Sequence, residues 1–356
     1  MAQPNPAVLA DPADLTPDWL TEALQSAGHD VVVSALRSEA VGTGQMAHNE
    51  RIFLDFERNE AGLPATLVGK FPSPSEESRA SGQRGGYRSE TRFYTDLAPQ
   101  LAIAVPACHC GAIAEDEATF TLLLEDLAPK EQGDQIRGAS DVEIEAAVRN
   151  LAGLHAPRWG DASLHDLDWM GGGIGDEYVT YVQMGTPVFI ERYRDRLSDE
   201  DAATLQAFAD GVKNWVDRRP ATPTLVHGDY RLDNLMFEST PEGVRVAAVD
   251  WQTLSVGCGG QDLAYLLGNS CPPEQRRAHE DRMLDAYREE MARHGVELSA
   301  ERVRSDYVYG TFQGPSITML GSLAVGQTDR GDTMFMAMAS RSCAQIRDTG
   351  ALDLLA

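Results

Sequence analysis

The chain has 356 residues, 42% hydrophobic and 24% charged, with a formal net charge of −25. That length allows two lobes with real cores, and the charge argues against nucleic acid or an anionic membrane as a partner, because both would repel it. The five cysteines, Cys108, Cys110, Cys258, Cys271 and Cys343, are odd in number and scattered, so they imply a reducing, cytoplasmic setting and not a disulfide framework.

The opening Met1-Ala2-Gln3-Pro4-Asn5-Pro6 lacks the basic and apolar regions of a signal peptide. No uncharged apolar run reaches the roughly 18 residues of a membrane-spanning helix. Thr16-Pro17 predicts a helix start, Trp19, Leu20, Ala23 and Leu24 its apolar stripe, and Gly28 its end. Residues 31–56 read as strand, turn and strand. Gly42 and Gly44 in the turn would let backbone N–H groups approach phosphates, although glycines in a hairpin are ordinarily turn chemistry.

Residues 65–71 predict a third strand, with Lys70 late in an apolar run. Such an ammonium needs a partner or a ligand, unless the strand is an exposed edge. Residues 73–86, rich in Ser, Gly and charge, read as a loop. Tyr87 to Leu97 follows as a helix with Glu90 in its first half. Cys108-His109-Cys110 looks like a metal fragment, but no second pair stands at finger-like spacing, so it reads as ordinary strand or loop. Residues 119–124 form a strongly apolar strand that runs into Glu125-Asp126-Leu127-Ala128-Pro129. The chain is strand-rich before this point and mostly helical after it, so the expected division is 1–125 and 126–356.

Ser140 and Glu143 make a capping box for a helix to about His155. Helices are expected over 178–197, 199–217, 262–268, 274–294, 300–325 and 331–348. Between them lies the densest chemistry in the chain. Leu225 to Phe237 carries His227, Asp229, Arg231, Asp233 and Asn234 in a loop between two apolar runs. The second run turns at Ser239–Gly243 and returns to Asp250. With Glu242 at the centre of the turn, Phe237 would pair near Ala247 and Asn234 near Asp250. An amide and a carboxylate side by side, with Asp229 one loop away, suit Mg²⁺ and phosphoryl transfer.

In order, these signals are a glycine-containing hairpin, a strand Lys, a helix Glu, an extended segment, then Asp-x₄-Asn and an Asp after the paired strand. This order resembles the protein-kinase-like fold, and more nearly the aminoglycoside phosphotransferase and choline kinase superfamily. His227-Gly228-Asp229 through Asn234, Val249-Asp250-Trp251-Gln252 and Gly259-Gly260-Gln261-Asp262-Leu263-Ala264-Tyr265 carry the resemblance, which spans about residues 38–270. It implies an α+β, two-lobed fold with an antiparallel-sheet N-terminal lobe and a mainly helical C-terminal lobe. The implied activity is ATP- and Mg²⁺-dependent transfer of a phosphoryl group to the hydroxyl of a small molecule. Asp229 would take or orient the hydroxyl proton, and Asn234 and Asp250 would bind Mg²⁺. Lys70 would hold the α/β-phosphates and pair with Glu90, for which Glu39 and Glu77 are alternatives. Gly42 and Gly44 would lie near the phosphates, and the backbone of Glu125 and Leu127 near adenine. Arg231 would either steady the γ-phosphate or pair with Asp233. Asp262 would brace the catalytic loop, with His227 packed beneath it.

The glycine loop departs from Gly-x-Gly-x-x-Gly, which weakens the case for a protein-kinase-type phosphate clamp. No Ala-Pro-Glu follows Asp250, which argues against a protein kinase. The alternative is a nucleotide-binding pseudokinase or regulator of the same fold. The acceptor is left open. The loop motif is similar to kinase domains found with acyl-CoA dehydrogenases, the Val-Asp-Trp-Gln run to ecdysteroid-kinase-like proteins, and antibiotic-modifying members act on polycationic sugars. The acceptor cleft is expected among the helices of 176–197 and 300–325, and no feature of the sequence sets an oligomeric state.

Overall fold

The computed structural model describes residues 8–42, 47–170 and 174–356. Gly44 lies outside the described residues. The chain forms two compact units. One holds the described residues up to Gln100, with Val105–Pro129 and Asp250–Leu254; the other holds Leu101–Ala104, Lys130–Val249 and Ser255–Ala356. This is not the single cut expected after residue 125. The short segment after Asp250 belongs with the first unit because Trp251 stacks on Phe93, with ring centroids 3.6 Å apart and 8° between planes.

The first unit begins with α1 (Pro17–Ser26), whose N-cap Thr16 accepts the Trp19 N–H at 3.1 Å. It continues through β1 (Val31–Ala40), β2 (Ala47–Asn59) and β3 (Thr66–Pro72), then α2 (Glu76–Ser81) and α3 (Tyr87–Arg92), and closes with β4 (Cys108–Ile113) and β5 (Phe120–Glu125). The strands pair antiparallel in the order β1-β2-β3-β5-β4. The apolar stripe of α1, Leu20, Ala23 and Leu24, packs on Val31, Val33, Ile52, Leu67 and Leu123 and is fully withdrawn from water. Burial of this kind, about 25 cal/mol for each Å² of apolar surface, holds the layer together.

Part of the region expected as a loop is helical. Residues 76–81 form α2, and Gly82–Gly86 continue as a wide turn in which Gly85 breaks the helical path at φ 117°. Serine, glycine and charge mask a helix when no long apolar stripe accompanies it. The helix expected to Leu97 is α for Tyr87–Arg92 and widens into a π-helical turn over Phe93–Leu97.

The second unit contains β6 (Glu131–Gln132), α4 (Asp141–His155), α5 (Asp176–Arg192), α6 (Asp199–Asp217), β7 (Thr224–Val226), β8 (Leu235–Thr240), β9 (Gly243–Ala248) and β10 (Ser255–Gly257). The helices α7 (Gly260–Asn269), α8 (Pro273–Arg293), α9 (Ala300–Gly310), α10 (Gln313–Ala324) and α11 (Asp329–Thr349) complete it. The single helix expected over 300–325 is therefore two, interrupted at Thr311 and Phe312. Phe312 turns into the core with Phe208, Val212, Trp215 and Met319. The capping box at Ser140 is present, with the Ser140 N–H donating to Glu143 Oε2 at 2.7 Å.

β6, β8 and β9 form one small antiparallel sheet, and β7 pairs with β10 in another. The hairpin register differs from the expected one by a residue. Phe237 pairs with Val246, and Thr240 with Gly243 across a two-residue turn at Pro241-Glu242. Asn234 therefore stands opposite Val249, whose N–H donates to the Asn234 carbonyl at 3.0 Å. Asp250 is the next residue along. Among the described residues no helix is long and apolar enough to cross a membrane.

Candidate active site

In the first unit β3 places Lys70 between Asn49 of β2 and Leu122 of β5, in the interior of the sheet. An ammonium there is tolerable only with a counter-charge. Glu90, on α3, supplies it: Lys70 Nζ stands 2.6 Å from Glu90 Oε1, and both side chains are buried. Asp250 Oδ1 lies on the other side of the ammonium at 3.4 Å. Burial opposes the Lys70 charge, but Asp250 and Glu90 outweigh it and raise the Lys70 pKa above its ordinary value.

Asp250 follows β9 and has a backbone φ of 66°, in the left-handed region that a non-glycine residue seldom adopts. A conformation of that kind persists only where the surroundings hold it. The residues after it do so: the Trp251 N–H lies 3.4 Å from Glu90 Oε1 and the Gln252 amide 3.2 Å from Glu90 Oε2.

The extended segment after β5 is fixed by Arg51, whose guanidinium grips Asp126 through two bonds of 2.8 and 3.2 Å. The Glu125 N–H is donated to Ala107, so it is spent within the protein. Leu127 is buried. Gly42 has φ 80°.

In the second unit the loop after β7 is built on Asp262, the third residue of α7. Its fully buried carboxylate accepts the backbone N–H groups of His227 at 2.6 Å and Gly228 at 2.9 Å. Gly228 adopts φ 84°, which turns both N–H groups onto one carboxylate and which other residues resist. His227 is buried beneath the loop. Its Nε2 donates to the Val249 carbonyl at 3.1 Å and its Nδ1 accepts the Asp229 N–H at 3.3 Å, so this arrangement sets the tautomer.

Asp229 emerges from that frame with both oxygens engaged. Oδ1 accepts the Tyr265 hydroxyl at 2.7 Å, Oδ2 accepts the Asn234 amide at 2.9 Å, and Arg231 Nε lies 3.1 and 3.2 Å from the two. Arg231 also pairs with Asp233 at 2.7 Å. Burial works against the guanidinium charge, but Asp229, Tyr265 and Asp233 overcome it and raise the Arg231 pKa. Burial, then the charge of Asp229, pushes the Tyr265 phenol well above its ordinary value, which keeps it a donor.

Sequence reasoning assigned no role to three residues that touch this loop. Tyr265 on α7 closes the run that begins at Gly259, which marks the start of a helix but not the contact of its hydroxyl with Asp229. Gln135 donates its N–H to Asp233 Oδ1 at 2.9 Å and accepts the Leu232 N–H at 2.9 Å. Met334 on α11 brings its sulfur within 3.3 Å of Arg231. Neither Gln135 nor Met334 has a local motif that would mark it. Asp262 does carry the loop, as its place after the Gly-Gly-Gln run suggested.

Cys108-His109-Cys110 opens β4, and among the described residues no group of three or more His, Cys, Asp or Glu side chains could hold a metal ion. Asn234 and Asp250 each carry an oxygen of the hard type that Mg²⁺ takes. The Asn234 amide nitrogen faces Asp229, which leaves its oxygen available. Lys70 contacts one Asp250 oxygen, which leaves the other.

A sequence profile of the APH phosphotransferase enzyme family matches residues 46–296. Human acyl-CoA dehydrogenase family member 11 is 29% identical over 121 residues, which are 34% of this chain and 14% of that protein's length. The chain thus spans a small fraction of the curated relatives it matches. Among solved structures, Plasmodium vivax ethanolamine kinase superposes with a TM-score of 0.51 at 11% identity, covering 89% of this chain and 85% of that one. A substituted aminoglycoside 2′-phosphotransferase-IIIa in complex with GDP superposes with a TM-score of 0.53 at 13% identity, covering 95% and 100%. At such identities the structures share the fold. The chain has a kinase-like α+β fold and belongs to the APH phosphotransferase enzyme family.

Proposed function

We propose that the protein is an ATP- and Mg²⁺-dependent phosphotransferase that moves the γ-phosphate to a hydroxyl of a small molecule. The observation that carries this reading is the setting of Asp229. It stands at the end of a loop whose backbone is fixed by a buried carboxylate, with Asn234 and Tyr265 locking its orientation. Phosphoryl transfer has a loose transition state, so an aligned carboxylate contributes by positioning the hydroxyl and receiving its proton more than by strong basicity.

Lys70, held by Glu90, takes the α/β-phosphates. Leu127 offers backbone groups to adenine, whereas the N–H of Glu125 is already given to Ala107. Gly42 lies along the phosphates. Asn234 and Asp250 would hold Mg²⁺, which when bound neutralises phosphate charge. Arg231 steadies the γ-phosphate once nucleotide draws it from Asp229. The acceptor cleft is assigned to α5, α9 and α10. In support, Gln313 at the start of α10 donates to the Gly228 carbonyl at 2.9 Å.

A second reading, a nucleotide-binding regulator without transfer, has one observation in its favour: Arg231 spans both oxygens of Asp229. An ATP-consumption screen against alcohols, sterols, amino sugars and hydroxyacyl compounds separates the two. Acceptor-dependent release of ADP supports the phosphotransferase. Binding of Mg²⁺-ATP with no consumption across the panel supports the regulator.

A further inference from the structure

Glu90 has more partners than an ion pair with Lys70 requires. Lys70 occupies Oε1 at 2.6 Å, and the second oxygen, Oε2, accepts the Gln252 amide at 3.2 Å. Gln252 is two residues beyond Asp250, and the residue between them, Trp251, lies flat on Phe93. Phe93 is three residues after Glu90 and so shares its side of the helical path. The stretch 250–252 is therefore fastened at successive points to the helix that carries Glu90.

That arrangement bears on a competition. Lys70 Nζ lies between two carboxylates, 2.6 Å from Glu90 and 3.4 Å from Asp250. A buried carboxylate oxygen without a donor is costly. Without Gln252, Glu90 Oε2 loses its amide and the stretch 250–252 loses one of its fastenings to Glu90. Asp250, already 3.4 Å from Lys70, is then free to close on the ammonium, which would occupy its carboxylate. Gln252 itself accepts a cost to make this bond, because its Oε1 is buried without a partner among the described residues. Glycine at position 86 makes room for it, since a Cβ there would stand 3.3 Å from Gln252 Cβ.

We propose that Gln252 is a positioning residue that keeps Lys70 closer to Glu90 than to Asp250, and so leaves one oxygen of the Asp250 carboxylate open to a divalent cation carried by the nucleotide. The inference rests on the phosphotransferase reading above and adds to it a residue that acts only through Glu90. Leucine at this position keeps the side chain's bulk and loses its N–H. Glutamate keeps its length and sets a second carboxylate against Glu90.

The test is calorimetric binding of two probes, a non-hydrolysable ATP analogue with Mg²⁺ and adenosine alone, to the wild-type chain, Gln252→Leu and Gln252→Glu, with thermal melting of each. Adenosine carries no phosphate for Lys70 and no metal for Asp250. The expected result is a loss of roughly tenfold in affinity for the Mg²⁺-analogue in Gln252→Leu, the scale of one hydrogen bond to a charged group. Gln252→Glu should lose at least as much, and adenosine affinity should be unchanged in both. Equal weakening for both probes, or no change for either, overturns the inference, because a role confined to packing would not separate them. Should Gln252→Leu fail to fold, Gln252→Glu carries the same comparison. Wild-type protein that binds adenosine but gains nothing from Mg²⁺ and phosphates would overturn the phosphotransferase reading itself, and the inference with it.

Discussion

The two units each hold a buried carboxylate, and they hold it by opposite means. In the first, Glu90 is balanced chiefly by a full charge, Lys70, at 2.6 Å. In the second, Asp262 has no lysine or arginine partner among the described residues; backbone N–H groups of His227 and Gly228 and the ring of His155 surround it. The first arrangement is side chain to side chain across a strand and a helix. The second shapes a backbone. Removing a member of the first leaves a naked charge, whereas altering the second distorts a loop. The lesson is that a charged pair can be deleted as a pair, but a carboxylate that organises backbone N–H groups has no such substitute.

The largest expected effect tests that directly. Lys70→Met leaves Glu90 facing Asp250 with no cation between them and should cost about 3 to 5 kcal/mol in urea denaturation. The double variant Lys70→Met with Glu90→Met should recover most of that stability while remaining inactive. A double variant no more stable than the single one would break the distinction. Next, Asp262→Asn presents an amide N–H₂ to a backbone donor and should cost about 2 kcal/mol, with no second-site partner whose removal restores it. Smaller again, Tyr265→Phe removes one of the donors to Asp229. Turnover should fall roughly tenfold with unchanged nucleotide affinity, the size of a single lost hydrogen bond to a charged group. A change in affinity without a change in turnover would place Tyr265 outside the catalytic loop's function.

The smallest effect concerns whether the sheet carrying Lys70 stays closed at its edge. Burial pushes the Cys108 thiol up to about 12 and Cys110 up to about 11. Alkylation requires the thiolate. Both should therefore resist iodoacetamide at pH 8 until denaturant is added, as read by mass spectrometry. Rapid labelling of the folded protein would show that β4 opens.

Much of the fold was legible in the sequence because the strong signals were local. A lysine late in an apolar strand, a capping box at Ser140 and a polar loop between two apolar runs each have a direct physical reading. The hairpin register was harder. Pro241, Glu242 and Gly243 suggest a turn but do not fix whether two or three residues close it, and one residue decides which side chains share a face. The helix of residues 76–81 was masked by its composition. The break at Thr311 and Phe312 was hidden because Phe312 continues the apolar pattern on either side of it. Of the candidate site, Lys70 and Glu90 meet as an ion pair, and Arg231 touches both of the acids between which it stands in sequence. The contacts of Tyr265 with Asp229, of Gln135 with Leu232 and Asp233, and of Met334 with Arg231 could not be read, since each arrives from a distant element through tertiary packing alone.

The measurement that bears most directly on the central claim is a paired assay of Asp229→Ala and the wild-type chain with γ-labelled ATP, Mg²⁺ and whichever acceptor the screen identifies. Transfer should fall at least about a hundredfold, as for loss of a general base, while calorimetry gives nearly the same nucleotide affinity for both. Retained transfer in Asp229→Ala would contradict the account.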